Sequence, residues 1–195
     1  MPAYVTLVVK AMATAINELI DLGAVTLLVP GILPIGCSPS YLTKYETEDI
    51  EEYDPETGCL TKYNKLAEYH NEQLQKELQS IQALNPQTNI IYADYYNASM
   101  GFTREGTLKS CCGGGGHTII NTSHGCGQPS TILCDDPSQY VSWDGVHLTE
   151  AAYAWITVGL LEGPYTTPRL STLCISENAT KIQMTTHENK SFSEH

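Results

Sequence analysis

The chain has 195 residues, is 42% hydrophobic and 16% charged, and carries a formal net charge of -12. That length and apolar share suit one domain with its own core. The acidic balance, with no basic run, excludes nucleic acid and anionic membrane surfaces as partners, because phosphate recognition needs clustered Lys and Arg. No apolar run reads as a transmembrane segment, and Met1-Pro2-Ala3-Tyr4 does not open a signal peptide. Two features point away from a reducing compartment. Seven cysteines are many for one, and four N-x-[ST] acceptors occur, at Asn97, Asn121, Asn178 and Asn189.

In chain order, Val5, Val8, Val9, Met12, Ile16, Leu19 and Ile20 recur at helical spacing and predict a helix over 2–22, closed by Gly23. Ala24 to Val29 is a short apolar run ended by Pro30-Gly31, the pattern of a strand buried on both faces of a parallel sheet. Residues 32–60 read as loop, punctuated by Pro and Gly and carrying an acidic, solvated run from Glu46 to Asp54. Thr61 is placed to cap a second helix to about Leu84, with Tyr63, Leu66, Ala67, His70, Leu74, Leu78 and Ile81 on one face. His70 in that stripe reads as a core histidine. Asn89 to Tyr95 predicts a second strand, and Asp94 near its end reads as a cap or turn residue ahead of a ligand contact.

Residues 101–141 form a long irregular stretch of the kind that cysteines pin. Thr149 then caps a last helix to about Leu161, stopped by Gly163-Pro164. Residues 1–168 read as one unit, and the polar, unpatterned 169–195 as a disordered tail.

Ser142-Trp143-Asp144-Gly145-Val146-His147-Leu148-Thr149-Glu150 sets a carboxylate and an imidazole three residues apart, just before a helix start. There Asp144 can accept from one ring nitrogen of His147, fix its tautomer and leave the other nitrogen to take a proton from a hydroxyl. On spacing alone the same pattern also suits a local cap or turn. Gly113 to Gly116 lack the Lys-Ser/Thr of a phosphate loop. Cys111, Cys112, His117, His124, Cys126 and Cys134 match no zinc spacing, so no metal is expected. Disulfides fit better: Cys37 with Cys59, and Cys126 and Cys134 each with one of Cys111 and Cys112, leaving Cys174 over. Which of the latter pairs form stays open.

The stretch around Asp144 resembles the last conserved block of the plant GDSL esterase/lipases, a branch of the SGNH hydrolases. Leu28 to Cys37, Glu52 to Leu60, Ile91 to Tyr96 and Cys111 to Gly116 resemble other blocks of that family in the same order, from about Pro2 to Pro168. The resemblance implies an α/β chain with part of a flavodoxin-like three-layer α/β/α fold, its parallel sheet lacking N-terminal strands. It implies a secreted serine esterase or lipase acting on small-molecule or lipid esters without a cofactor, with Asp144 and His147 as catalytic residues. The family's Gly-Asp-Ser nucleophile and Gly-x-Asn-Asp oxyanion block are not in this sequence. Ser38, Ser99, Ser110 and Ser142 sit in no equivalent turn. The chain is therefore expected to be inactive alone and to self-associate through an exposed sheet edge. The alternative is a truncated product acting as a binding or dominant-negative partner, or an incomplete gene prediction.

Overall fold

The structure is a computed structural model that describes residues 2–102, 106–113, 126–129 and 131–173. Helix α1 (Pro2–Asp21) leads through Gly23, whose φ of 97° strains any residue with a Cβ, into strand β1 (Thr26–Pro30). A connection containing α2 (Pro39–Lys44) follows, then the long helix α3 (Thr61–Leu84), β2 (Asn89–Ala93) and α4 (Tyr95–Met100). Four short strands come next: β3 (Gly106–Ser110), β4 (Cys112–Gly113), β5 (Ile132–Leu133) and β6 (Tyr140–Ser142). The last described elements are α5 (Glu150–Leu161), β7 (Thr166–Thr167) and α6 (Leu170–Leu173). The rest of the segment expected as a tail lies outside the described residues, as do Asn121, Asn178, Asn189, His117, His124 and Cys174.

The fold is α/β. β1 and β2 pair in parallel from Thr26↔Asn89 to Pro30↔Ala93, and β7 adds an antiparallel strand on the far side of β2. On one face Leu27, Val29, Ile90 and Tyr92 meet Val5, Val9, Ala13 and Ile16 of α1 and Leu74, Leu78 and Ile81 of α3. On the other, Ala93 packs with Ala98 of α4 and Ile156 and Leu160 of α5. Helices thus cover β2 from both sides. β1 corrects the sequence reading: Leu28 is 46% exposed, so this strand is not buried on both faces. The described helices on that side gather at Ala93 and leave Leu28 uncovered.

Four further differences from the sequence reading follow. α1 carries Val8 and Leu19 exposed, since a helix meeting a single layer buries only a narrow stripe. Among the described residues its stretch Ala3–Asp21 is also, by length and composition, long and apolar enough to cross a membrane, against the sequence reading. Here its buried face belongs to the core. α3 starts at Thr61 itself, with Leu60 at the cap position and no side-chain cap bond. α2 sits in the stretch read as loop because Pro39 looks like punctuation, yet proline suits the first turn of a helix.

The long stretch before Asp144 is held covalently. Cys111 is bonded to Cys134 and Cys112 to Cys126, while Cys37–Cys59 closes the earlier loop. These links bring segments into register, with the Cys134 N–H donating to the Cys111 carbonyl at 2.7 Å and the Cys111 N–H to the Ser142 carbonyl at 2.9 Å. Four sulfurs of the weighed zinc set are thereby spent as disulfides.

Two buried asparagines on α3 position the loop after β1. Asn71 Oδ1 accepts from the Ile32 N–H at 2.8 Å and its Nδ2 donates to the Ile32 carbonyl at 3.0 Å, as a neighbouring strand would. Asn64 Oδ1 accepts from the Gly36 N–H at 2.8 Å, and a Cβ on Gly36 would fall 2.2 Å from the Leu60 carbonyl oxygen. His70, buried beside them, has Nδ1 3.3 Å from Asn71 Oδ1. Asn71→Ala strands both polar groups of Ile32 in a part-buried site and is expected to cost about 2–6 kcal/mol, at roughly 1–3 kcal/mol per orphaned group. Denaturant titration checks this, and an unchanged midpoint would contradict it.

Candidate functional site

The loop 31–38 leaves the C-terminal end of β1, and Asp94 leaves the C-terminal end of β2. Open α/β sheets place their ligands outside those ends. Asp94 is a cap: its Oδ1 accepts from the Asn97 N–H at 3.1 Å and its Oδ2 from Asn97 Nδ2 at 2.6 Å. Beyond the two strand ends lies a cavity of about 540 Å³, whose walls include Leu33 and Ile35 from the loop, Met100 and Phe102 after α4, and Val146 and Leu148 from the turn before α5.

Asp144 and His147 stand in that turn. Asp144 Oδ1 accepts from the backbone N–H of Val146 at 2.9 Å and of His147 at 2.7 Å. Its Oδ2 lies 2.7 Å from His147 Nδ1. The short-range alternative of a local turn and the paired imidazole are thus the same object, one carboxylate serving both. Gly145 takes φ +95°, where a side chain is strained. Thr149 ends the turn by capping α5, its Oγ1 accepting from the Ala152 N–H at 3.2 Å. Trp143 contributes a backbone bond, its N–H donating to the His147 carbonyl at 2.8 Å, and is not among the cavity walls.

The Asp144 side chain is 27% exposed and that of His147 71%. Partial burial pushes the Asp144 carboxyl up, but hydrogen bonds from the His147 ring and from the two backbone N–H groups outweigh it. The net result lies below the ordinary value. A depressed carboxyl keeps its stabilising charge above the unfolded value near pH 4 and loses it as pH falls through the folded value. The turn is therefore an acid-sensitive element, secure at neutral pH. With Nδ1 held by the carboxylate, Nε2 is the ring nitrogen left to exchange a proton.

A contact that sequence reasoning missed fixes the turn in place. The Gly145 carbonyl accepts from Ser38 Oγ at 2.7 Å, Ser40 Oγ at 2.8 Å and the Ser40 N–H at 3.1 Å. Nothing in the sequence signals a pairing across more than a hundred residues. The buried pair Asn64 and Asn71 did leave a signal, two amides seven residues apart beside the apolar stripe of α3.

The serines weighed as nucleophiles are occupied. Ser38 Oγ donates to Gly145, Ser99 Oγ donates to the Tyr96 carbonyl at 2.9 Å, and Ser142 Oγ accepts from the Gly145 N–H at 2.8 Å. No hydrogen bond joins any of these three hydroxyls to the His147 ring. Ser110 lies in β3, paired with Ser142 of β6. Asn97 is an exposed residue of α4.

Comparison with known proteins gives the family. The model of the GDSL-like lipase/acylhydrolase family matches residues 2–158. GDSL esterase/lipase At1g31550 of Arabidopsis thaliana is 49% identical over 188 residues, covering 92% of this chain and 48% of that protein. GDSL esterase/lipase At1g28610 of the same plant is 50% identical over 179 residues, 88% of this chain and 47% of the relative. The chain spans about half the length of the curated relatives it matches. It belongs to the GDSL esterase/lipase family.

Proposed function

We propose that this chain supplies the general base and its orienting carboxylate to a carboxylic-ester hydrolase. The observation that carries the reading is the 2.7 Å contact between Asp144 Oδ2 and His147 Nδ1, beside an apolar cavity at the C-terminal ends of parallel strands. In the complete enzyme a serine from the family's Gly-Asp-Ser segment attacks the ester carbonyl. His147 takes the hydroxyl proton and delivers it to the leaving alcohol, while Asp144 holds the tautomer and stabilises the imidazolium. Donors of the Gly-x-Asn-Asp block hold the oxyanion. The reading needs no cofactor. Residues 1–168 form the hydrolase part, within a flavodoxin-like α/β/α layer arrangement that the helices on both faces of β2 support.

The family membership and three disulfides support a secreted parent, with glycan carried at exposed Asn97. A second reading, a non-catalytic or self-associating partner, rests on the outer edge of β1, which among the described residues pairs only with β2 and carries the half-open Leu28.

His147→Ala in the complete enzyme is expected to lower kcat for p-nitrophenyl acetate by several orders of magnitude. Asp144→Asn is expected to be severe too, because it favours the wrong tautomer. Near wild-type turnover of His147→Ala would remove the pair from the mechanism. The chain of this sequence alone is expected to show no esterase activity above the His147→Ala background.

Releasing the turn without touching the pair gives a separate test. Ser38→Ala/Ser40→Ala removes two of the three donors to the Gly145 carbonyl. It is expected to cost about 1–3 kcal/mol of stability and to lower kcat more than it raises KM, with Ser→Thr replacements restoring part of both. Equal stability and kinetics of the double variant would show that the contact does not hold the turn.

In secreted material, intact mass before and after glycosidase treatment should reveal glycan, and thiol counting under denaturing conditions should find at least six of the seven cysteines blocked. Seven free thiols in a secreted, unglycosylated sample would contradict the compartment.

A further inference from the structure

Three tyrosine rings meet where α2 and α3 come together. Tyr45 is the C-terminal cap of α2, its N–H donating to the Tyr41 carbonyl at 2.9 Å, and Tyr63 stands in the first turn of α3. The Tyr45 and Tyr63 ring centroids are 4.6 Å apart with planes tilted by 31°, the closest ring pair among the described residues. Tyr41, on a wall of the cavity, meets the Tyr63 ring edge-on at 5.2 Å. Partial burial and then the Tyr45 hydroxyl hold the Tyr63 phenol above its ordinary value, so the two hydroxyls stand near one another. Ring carbons beside those hydroxyls are therefore neighbours as well.

Stacking alone would serve packing, but three conditions for chemistry coincide here. Tyr45 is 39% exposed, so an oxidant reaches it. The three disulfides mark an oxidising setting. Directly bonded aromatic rings have their centres at nearly the separation seen here, so joining the pair requires the rings to turn and not the backbone to move. Glu46 and Thr47 beyond Tyr45 are exposed and leave it room to turn. We propose that Tyr45 and Tyr63 form a site of oxidative cross-linking, at which hydrogen peroxide, acting through a haem peroxidase, joins them as dityrosine. Each phenol gives up one electron and its hydroxyl proton and becomes a phenoxyl radical. The two radicals couple through a carbon beside each hydroxyl, and the hydrogen left on each of those carbons moves to its oxygen, restoring both phenols. One peroxide takes up the two electrons and two protons and leaves as two waters. No part of this step draws on Asp144 or His147, so the site is independent of the hydrolase reading. Cys37–Cys59 already joins the segments that precede α2 and α3, and the new carbon–carbon bond would hold that junction after the disulfide is reduced.

The test treats dilute purified chain with haem peroxidase and hydrogen peroxide, and separately with photo-excited ruthenium tris-bipyridine and persulfate. After reduction of the disulfides, trypsin cuts beside both tyrosines, at Lys44, Lys62 and Lys65. The expected product is peptide 45–62 joined to peptide 63–65, lighter than the two together by two hydrogens and carrying the blue fluorescence of dityrosine. Tyr45→Phe and Tyr63→Phe are each expected to abolish it, and Tyr53→Phe to leave it unchanged. The ruthenium oxidant also works in urea, where the link should form roughly tenfold less, because the fold no longer holds the rings together. That comparison needs no variant, so a Phe variant that folds poorly leaves the test intact.

Absence of a Tyr45–Tyr63 link with both oxidants would overturn the proposal. So would equal yields from folded and unfolded chain, or a product that persists in both Phe variants. Cross-linking confined to contacts between molecules through the exposed Tyr4 and Tyr153 would do the same.

Discussion

The site depends on how one carboxylate divides its two oxygens. Asp144 Oδ1 accepts two backbone N–H groups of the turn it begins, and Oδ2 faces the ring of the residue that ends it. Backbone shape and imidazole orientation are therefore set by the same group and cannot drift independently. The arrangement also explains the spacing. Three residues is the distance at which an Asp can both close an Asx-type turn and reach the side chain beyond it. A positive φ at Gly145 lets the chain fold back tightly enough for this.

A turn of that kind is locally stable but has to be aimed. Aim comes from the far side of the cavity. Asn71 and Asn64 hold the loop after β1 against α3, Cys37–Cys59 ties its end to the start of α3, and Ser38 and Ser40 then grip the Gly145 carbonyl. Each link is polar or covalent, and each crosses between segments remote in sequence. The apolar core behind them sets where β1, β2 and α3 lie. The polar chain converts that placement into the position of His147. A carbonyl with three donors tolerates little displacement, since moving it weakens all three bonds together.

Much of this was legible in the sequence, for a physical reason. Helices α1 and α3 announce themselves through 3.6-residue periodicity, α5 through the Thr149 cap and the Gly163-Pro164 stop, and Gly23 marks the end of α1 by local chemistry. The Asp144–His147 contact is local too, so spacing alone could suggest it. What the sequence hid is non-local. The exposed face of β1 depends on where α5 docks, and the choice of Cys134 for Cys111 goes with the pairing of β4 and β5, segments some twenty residues apart. Asn64 and Asn71 illustrate the boundary between the two. Their position beside the buried stripe was visible, but a buried amide needs a partner, and that partner sits on a loop 28 or 39 residues away.

The exposure of His147 bears on how the proposed chemistry would work. With 71% of its side chain open, the imidazole faces water on the side away from Asp144. Water at that position screens the developing charges of an acyl transfer and competes for the Nε2 lone pair. A base in this setting contributes general-base assistance, on the order of 10²–10⁴-fold, and little of the electrostatic stabilisation that dominates such reactions. The hydrolase reading therefore requires a further protein surface over the open side of the ring, bringing the nucleophile and the oxyanion donors with it. That requirement comes from the dielectric at the open ring.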